Sequence, residues 1–368
     1  MSRAWRALPY RQWGDEAMKA FHGLCRARKL VGGMLPMLLA MPYSEASETG
    51  STSTTRAAVH ATQEGGVTPR HAPLRPQDRL GDVLNHTAFR GFSQRILPWD
   101  GRVYDQSMPL GEIGQLLPYH SHVDLGVVVA ALNRMVDDTN AGRSVFYDFH
   151  TDAEKQANPA LQHTGLFFFR GKPGAPFAVI APGGGFAYVG SVHEGFPYAE
   201  AISKQGLNAF VLKYRAGAGG RVATEDLAAA LAYIFQNASA LQVSTEGYSL
   251  WGSSAGARMA AAIGSHGTGA FGAQPLPKPA VVVMAYTGHS EVTASEPPTF
   301  VVVGDHDGIA PPAAMEARVA ALRRIGTPVA YHTYPNVGHG FGTGQGTSAQ
   351  GWINDAVQFW QQHIRKSP

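Results

Sequence analysis

A serine between small residues is the first candidate for chemistry in this chain. Ser254 is the central residue of GSSAG at 252–256, which fits the pattern G-x-S-x-G. Small neighbours leave room for a sharp turn that exposes the central hydroxyl group. An apolar strand pattern precedes the segment and a helix pattern follows it, so we predict Ser254 at the turn between them. The alternative is a glycine-rich strand-to-helix turn without chemistry.

A histidine and a carboxylate that could activate this serine lie further along the chain. A serine hydroxyl is a weak nucleophile at neutral pH and needs a base nearby. His339, within GHGF, follows the last strand pattern. The strand pattern TFVVVG is followed by DHDG, which contains Asp305 and Asp307. Asp305 is placed to cap a turn at the strand end. We therefore predict that Asp307, just before Gly308, orients His339.

Backbone N–H groups could stabilise the negative charge that forms on a carbonyl oxygen under attack. The N–H group of Ala255 would open the helix after Ser254, where no intrahelical acceptor is present. The glycine run PGGGF at 182–186 directly follows another apolar strand pattern and can aim further N–H groups at a ligand. A phosphate-binding loop is the alternative, but the spacing matches neither common phosphate-loop motif.

Alternating strand and helix patterns predict the framework that positions these loops. Most strand candidates are continuous apolar runs, as in strands buried on both faces. We predict an α/β fold: a mostly parallel eight-stranded sheet with helices on both faces, whose first two strands form an antiparallel edge. The predicted strands are 144–149, 165–170, 177–181, 208–214, 248–252, 280–286, 299–305 and 329–334. The predicted helices are 123–138, 194–205, 225–238 with Thr224 as N-cap, 254–264, 311–325 and 352–365.

The N-terminal part of the chain differs in composition from the rest. Basic residues before an apolar stretch at 30–41, followed by small residues, predict a secretory leader at 1–46 and a periplasmic or secreted protein. An unprocessed N-terminus in a cytoplasmic protein is the alternative. The apolar stretch is too short to span a membrane. We predict a flexible linker at 47–79, an N-terminal extension and partial cap at 80–142, and a catalytic domain at 143–368.

Composition excludes several other functions. The net charge of +3 comes without a basic stripe, so no nucleic-acid partner is expected. One cysteine, Cys25, allows neither an intrachain disulfide bond nor a cysteine-based zinc site. His120, His122 and Asp124 could bind a metal, but they more simply form a polar loop before a helix. We predict no metal and no cofactor, and the sequence leaves the oligomeric state open.

Taken together, these motifs resemble the serine α/β-hydrolases of the esterase and lipase group, in particular members similar to acetyl-xylan esterases and dienelactone hydrolases. The resemblance covers about residues 143–366 and has the order Ser254, Asp307, His339. It implies that Gly184 and Gly185 supply oxyanion-binding N–H groups with Ala255. Dienelactone hydrolases have a cysteine nucleophile, whereas this chain has a serine.

The resemblance implies hydrolysis of carboxylic esters through an acyl-enzyme. The connection 287–298 is too short for a lid domain, which favours a short acyl group on a larger alcohol, such as an acetylated carbohydrate. Tyr188, His193 and His289 are predicted to line the substrate pocket. The alternatives are a serine peptidase of the prolyl-oligopeptidase type and a catalytically inactive binding protein with the same fold.

Overall fold

The computed structural model describes residues 71–364, which fold around one sheet. The predicted leader at 1–46 and the predicted linker up to residue 70 lie outside the described residues. Within residues 71–364, no helix combines the length and the hydrophobicity needed to cross a bilayer.

The sheet has eight strands, as predicted. Its spatial order is β1-β2-β4-β3-β5-β6-β7-β8. β1 and β2 form the predicted antiparallel edge, and all the pairs from β4 to β8 are parallel. The strands are β1 Phe146–Tyr147, β2 Gly165–Phe169, β3 Pro176–Ala181, β4 Asn208–Lys213, β5 Ser244–Ser253, β6 Val281–Ala285, β7 Thr299–Gly304 and β8 Val329–Tyr334.

Helices cover both faces of this sheet. One core contains residues of α3, α5 and α10, and the other contains residues of α6, α8 and α9. The α-helices are α1 Leu80–Leu84, α2 Ser93–Ile96, α3 Leu125–Asn140, α4 Asp152–Ala157, α5 Phe196–Lys204, α6 Gly219–Gln236, α7 Ala238–Leu241, α8 Ala255–His266, α9 Pro312–Arg324 and α10 Trp352–Ile364. A π-helical turn, Ser191–Gly195, precedes α5.

Strand β3 shows why the central strands are continuously apolar. Ala178 and Ile180 belong to the first core, whereas Phe177 and Val179 belong to the second. Successive side chains of a strand point to opposite faces, so both faces must be apolar when both are covered. The glycine loop begins directly after this strand and is therefore held by a rigid support.

The predicted N-cap of the third helix is wrong. α6 begins at Gly219, five residues before Thr224, because Gly219 has a positive φ of 87° that ends the preceding loop there. Thr224 lies inside the helix, and its hydroxyl group donates to the carbonyl oxygen of Gly220 at 2.7 Å. A threonine within a helix commonly bonds a preceding carbonyl in this way.

The end of the predicted flexible linker is packed. Leu74 is buried, and its N–H group donates to the Asn133 side chain of α3 at 2.7 Å. The Asn133 amide returns a bond to the carbonyl oxygen of Leu74 at 2.9 Å. Residues 71–79 were included in the linker because of their proline-rich composition, but these contacts attach them to the extension that follows.

Candidate active site

Ser254 lies at the sharp turn between β5 and α8. Its backbone has φ 50° and ψ −114°, a conformation that is strained for a residue with a side chain. The N–H group of Ser254 donates to the carbonyl oxygen of Ala285 at the end of β6, at 2.8 Å. The side chain of Ser254 is half-buried, as expected for a hydroxyl that must meet a ligand.

His339 joins this serine to a buried carboxylate. The Ser254 hydroxyl lies 2.9 Å from His339 Nε2, and His339 Nδ1 lies 2.8 Å from Asp307 Oδ2. The other oxygen of Asp307 accepts the N–H groups of Ile309 and Ala310 at 2.9 and 2.7 Å. This arrangement fixes the imidazole with its Nε2 lone pair towards the serine hydroxyl.

Asp305, the competing carboxylate, has a different role. It is exposed, and its Oδ1 accepts the N–H group of Asn336 at 2.7 Å. It therefore supports the turn before the His339 loop, and not the turn at the end of its own strand that it was predicted to cap. The structure pairs His339 with Asp307.

The glycine loop after β3 passes beside Ser254. A Cβ atom added to Gly183 would lie 3.0 Å from Ser254 Cβ. The carbonyl oxygen of Gly183 accepts the Gly190 N–H group at 2.9 Å, and that of Gly184 accepts the Ala187 N–H group at 3.0 Å. Because a trans peptide points its N–H and C=O groups in opposite directions, the N–H groups of Gly184 and Gly185 point away from these partners.

These N–H groups are available to a ligand. Within residues 71–364, neither they nor the N–H group of Ala255 donates to a protein acceptor. Gly184 and Gly185 have φ values of 130° and 62°, which favour glycine. The loop and the start of α8 thus contribute unpaired donors near one serine hydroxyl, which is the arrangement an oxyanion requires.

Two family profiles match parts of the chain. Residues 170–274 match BD-FAE, and residues 282–367 match the prolyl oligopeptidase family; each match covers less than a third of the chain. No curated protein matches the chain in sequence.

Solved structures match the fold over a longer part of the chain. An acetyl ester-xyloside bifunctional hydrolase from Caldicellulosiruptor lactoaceticus is 19% identical, with a TM-score of 0.52 over 59% of this chain and 95% of that chain. A carboxylesterase from Lactobacillus plantarum is 21% identical, with a TM-score of 0.48 over 54% and 92% of the two chains. The first likeness, together with the sheet order and the position of Ser254, decides the fold. The chain has the α/β-hydrolase fold.

A buried carboxylate behind the glycine loop of this hydrolase fold was missed by sequence analysis. Glu194, in the π-helical turn, is fully buried. Its Oε2 accepts the Gly183 N–H group at 2.5 Å, and its Oε1 accepts the Tyr286 hydroxyl at 2.7 Å and His120 Nε2 at 2.9 Å. Burial opposes ionisation, but His120 and the Tyr286 hydroxyl outweigh it and lower the pKa of Glu194 to about 2.

The residues predicted to line the substrate pocket are all buried. Tyr188 and His193 have polar atoms that bond protein groups, namely the Tyr119 N–H group and the Gly340 carbonyl oxygen. Burial lowers the pKa of His193 to about 4. Burial, followed by the nearby charges of Arg318 and Arg258, lowers the pKa of His289 to about 3. Both imidazoles are therefore neutral at pH 7.

Two members of the string His120, His122 and Asp124 bond protein groups. Asp124 caps α3 by accepting the Val127 N–H group, and His120 faces Glu194. Among the described residues, no group of histidine, cysteine or acidic side chains could hold a metal ion. Two surface clefts of about 490 and 450 Å³ contain none of Ser254, Asp307 and His339 in their walls.

Proposed function

We propose that this protein hydrolyses carboxylic esters through an acyl-enzyme formed on Ser254. The observation that carries the proposal is the continuous path from the Ser254 hydroxyl through His339 to Asp307, at 2.9 and 2.8 Å. His339 accepts the serine proton as Ser254 Oγ attacks the ester carbonyl. It then protonates the leaving alcohol, and water releases the acid by the same route.

Charge on the tetrahedral oxygen would be stabilised by the N–H groups of Gly184, Gly185 and Ala255. Asp307 remains ionised and stabilises the imidazolium that forms on His339. Preorganised donors of this kind commonly supply a large share of the rate enhancement in acyl transfer.

A short acyl group on a larger alcohol, such as an acetylated carbohydrate, is the substrate class that we favour. The connection between β6 and β7, residues 286–298, contains neither a helix nor a strand and is too short for a lid domain. Residues 119–121 cover the His339 loop from one side, through a hydrogen bond of Ser121 with Gly340 at 3.0 Å. An acetylated sugar ester is consistent with a site covered only in part.

Peptide hydrolysis is the second candidate. It is favoured by the match of residues 282–367, which include Asp307 and His339, to the prolyl oligopeptidase family. The same serine, histidine and aspartate would attack an amide carbonyl, so the leaving group distinguishes the two functions.

Initial rates on matched substrates test the proposal. We expect turnover of p-nitrophenyl acetate and of an acetylated xylo-oligosaccharide, with falling kcat/KM for longer acyl chains. A proline-containing peptide p-nitroanilide should be a poor substrate. Ser254→Ala should lower kcat by about 10⁵-fold or more.

Ser253→Ala is the matched control. Its hydroxyl is buried and lies 3.1 Å from the Tyr198 hydroxyl, away from the path to His339. It should keep most of the esterase activity. Turnover of the peptide but not of the esters would favour the peptidase function. Wild-type activity in Ser254→Ala would rule out Ser254 as the nucleophile.

A further inference from the structure

Residues 119–121 of the N-terminal extension lie between the two loops that form the candidate active site. One loop carries Gly184 and Gly185, and the other carries His339. The residues of this three-residue bridge, Tyr119, His120 and Ser121, precede α3 and are far from both loops in sequence. Their contacts link the two loops to each other.

The bridge reaches the glycine loop through His120. The His120 side chain is 2% exposed, and its Nε2 lies 2.9 Å from Glu194, whose other oxygen accepts the Gly183 N–H group. His120 Nδ1 lies 2.8 Å from the Tyr188 hydroxyl, which also accepts the Tyr119 N–H group at 3.0 Å. Tyr119 additionally stacks on the Tyr188 ring, with centroids 5.7 Å apart.

The polar atoms of this cluster all have hydrogen-bond partners. Glu194 is a carboxylate, so His120 Nε2 carries the proton and donates to it. The Tyr188 hydroxyl accepts from the backbone of Tyr119 and also forms a hydrogen bond with Nδ1 of His120. Each buried polar atom of these three side chains therefore has a partner, which makes the cluster rigid.

The bridge reaches the histidine loop through Ser121. Its hydroxyl donates to the carbonyl oxygen of His339 at 2.8 Å, and its N–H group donates to that of Gly340 at 3.0 Å. The Gly340 carbonyl also accepts a bond from His193 Nε2 at 2.9 Å. The carbonyl groups of His339 and Gly340 are thus bonded to Ser121, the neighbour in sequence of the His120 that bonds Glu194.

Two glycines leave the space that His120 occupies. A Cβ atom on Gly190 would lie 2.8 Å from His120 Nε2, and one on Gly340 would lie 2.7 Å from His120 Cα. Gly190 has φ −75°, which any residue can adopt, so space and not backbone conformation requires a glycine here. The loops approach the bridge from both sides.

We propose that His120 is a positioning residue for the reaction: through Glu194 it holds Gly183, and so aims the oxyanion-binding N–H groups of Gly184 and Gly185 at the acyl group on Ser254. Ser121 extends the same role to the His339 loop. Two residues of the N-terminal extension, His120 and Ser121, then position the reacting groups, and no lid function is required of the extension. This inference rests on the proposed ester hydrolysis.

The test is the labelling of the full chain by a fluorophosphonate probe, followed by mass spectrometry of Ser254. The probe reacts as Ser254 Oγ displaces fluoride, and its phosphoryl oxygen occupies the oxyanion site, so the rate does not depend on the natural substrate. The end point gives the fraction of correctly folded sites. The variants are His120→Gln, Ser121→Ala and the control His122→Asn, which changes an exposed histidine at a positive φ of 53° that asparagine tolerates.

We expect full end-point labelling of all variants. For His120→Gln, the labelling rate and the kcat for ester hydrolysis should each be about tenfold or more below wild type, while the KM should stay within about twofold of the wild-type value. Ser121→Ala should be slower by about threefold, and His122→Asn should equal wild type. A purely structural role would lower the end point and leave the rate unchanged.

Wild-type labelling rates in His120→Gln would overturn the positioning role while leaving the ester-hydrolase proposal intact. If that variant does not fold, His120→Asn takes its place, and a wild-type labelling rate in His120→Asn overturns the positioning role. An unlabelled Ser254 in the wild-type protein would overturn the proposed function, and the positioning role with it.

Discussion

Two buried carboxylate–histidine pairs lie in the region around Ser254. Asp307 bonds His339 at 2.8 Å, and Glu194 bonds His120 at 2.9 Å. In each pair the histidine uses one ring nitrogen for the carboxylate and the other for a hydroxyl group. The hydroxyl is that of the half-buried Ser254 in the first pair and that of the buried Tyr188 in the second.

The hydroxyl group that bonds the histidine determines what each pair can do. Ser254 can meet a substrate, so proton transfer from it to His339 is coupled to bond formation. Tyr188 is fully buried, and burial raises the pKa of its hydroxyl far above the ordinary value, so His120 has no acidic proton to accept. In the proposed mechanism, a carboxylate and a histidine thus supply a base in one place and a fixed support in the other.

The largest expected effect is the fall in kcat after Asp307→Asn, which changes the carboxylate of the first pair. An asparagine would favour the wrong imidazole tautomer and leave the imidazolium without its counter-charge, so kcat should fall by about 10⁴-fold with little change in stability. Steady-state kinetics on p-nitrophenyl acetate measure this effect. Asp305→Asn, in the same loop, is the control and should retain activity; the reverse result would transfer the role to Asp305.

Glu194→Ala should affect stability more than Asp307→Asn does. It removes the common acceptor of Gly183, Tyr286 and His120 and leaves their donors buried without a partner, so the free energy of unfolding should fall by about 3 kcal/mol. Urea unfolding followed by tryptophan fluorescence measures it. Glu200→Ala, which removes a carboxylate from the adjacent α5, is the control. Equal unfolding midpoints for the two variants would contradict the supporting role of the second pair.

Another buried histidine, His289, lies near the cations Arg318 and Arg258 and should produce the smallest effect. The pKa of His289 falls from 6.5 to about 3, because of burial and of Arg318 and Arg258. Between these two values the unfolded chain binds a proton that the folded chain does not, so the contribution to stability is present above 6.5 and is lost as the pH falls towards 3.

His289→Gln should therefore reduce the loss of stability between about pH 7 and about pH 5, by at most about 1.4 kcal/mol per pH unit. Urea unfolding at both pH values measures the difference. His306→Gln, which changes an exposed histidine, is the control. An unchanged pH dependence in His289→Gln would show that this imidazole is not held neutral by its surroundings.

The fold and the first pair were predictable because their signals are local. Each predicted strand and helix carries its own apolar pattern, and the strand-end loops carry short motifs around Ser254, Asp307 and His339. Parallel strands bring such loops to one edge of the sheet, so the sequence order was enough to bring them together. The choice of Asp307 over Asp305 depended on one glycine, and the structure pairs Asp307 with the histidine.

The second pair was not predictable, because its partners have no local signal. His120 was considered only as part of a metal-binding string, and Glu194 lies in a segment without a motif. Their pairing depends on a crossing of two chain segments that only the tertiary structure shows. The available clue was that Glu194 is a single acidic residue in the largely apolar stretch before α5. A carboxylate that is buried there needs hydrogen-bond donors from elsewhere in the chain.

The bond between the Ser121 hydroxyl and the His339 carbonyl joins residues 218 positions apart. During synthesis the bridge leaves the ribosome early, before any of the parallel strands that carry the nucleophile and the base. It can contact the glycine loop once residues 183–194 have been made, but it has no histidine loop to hold until β8 and the segment after it have been made. The nascent chain can thus build most of its sheet before the proposed catalytic centre is complete, and the loop that carries His339 completes it.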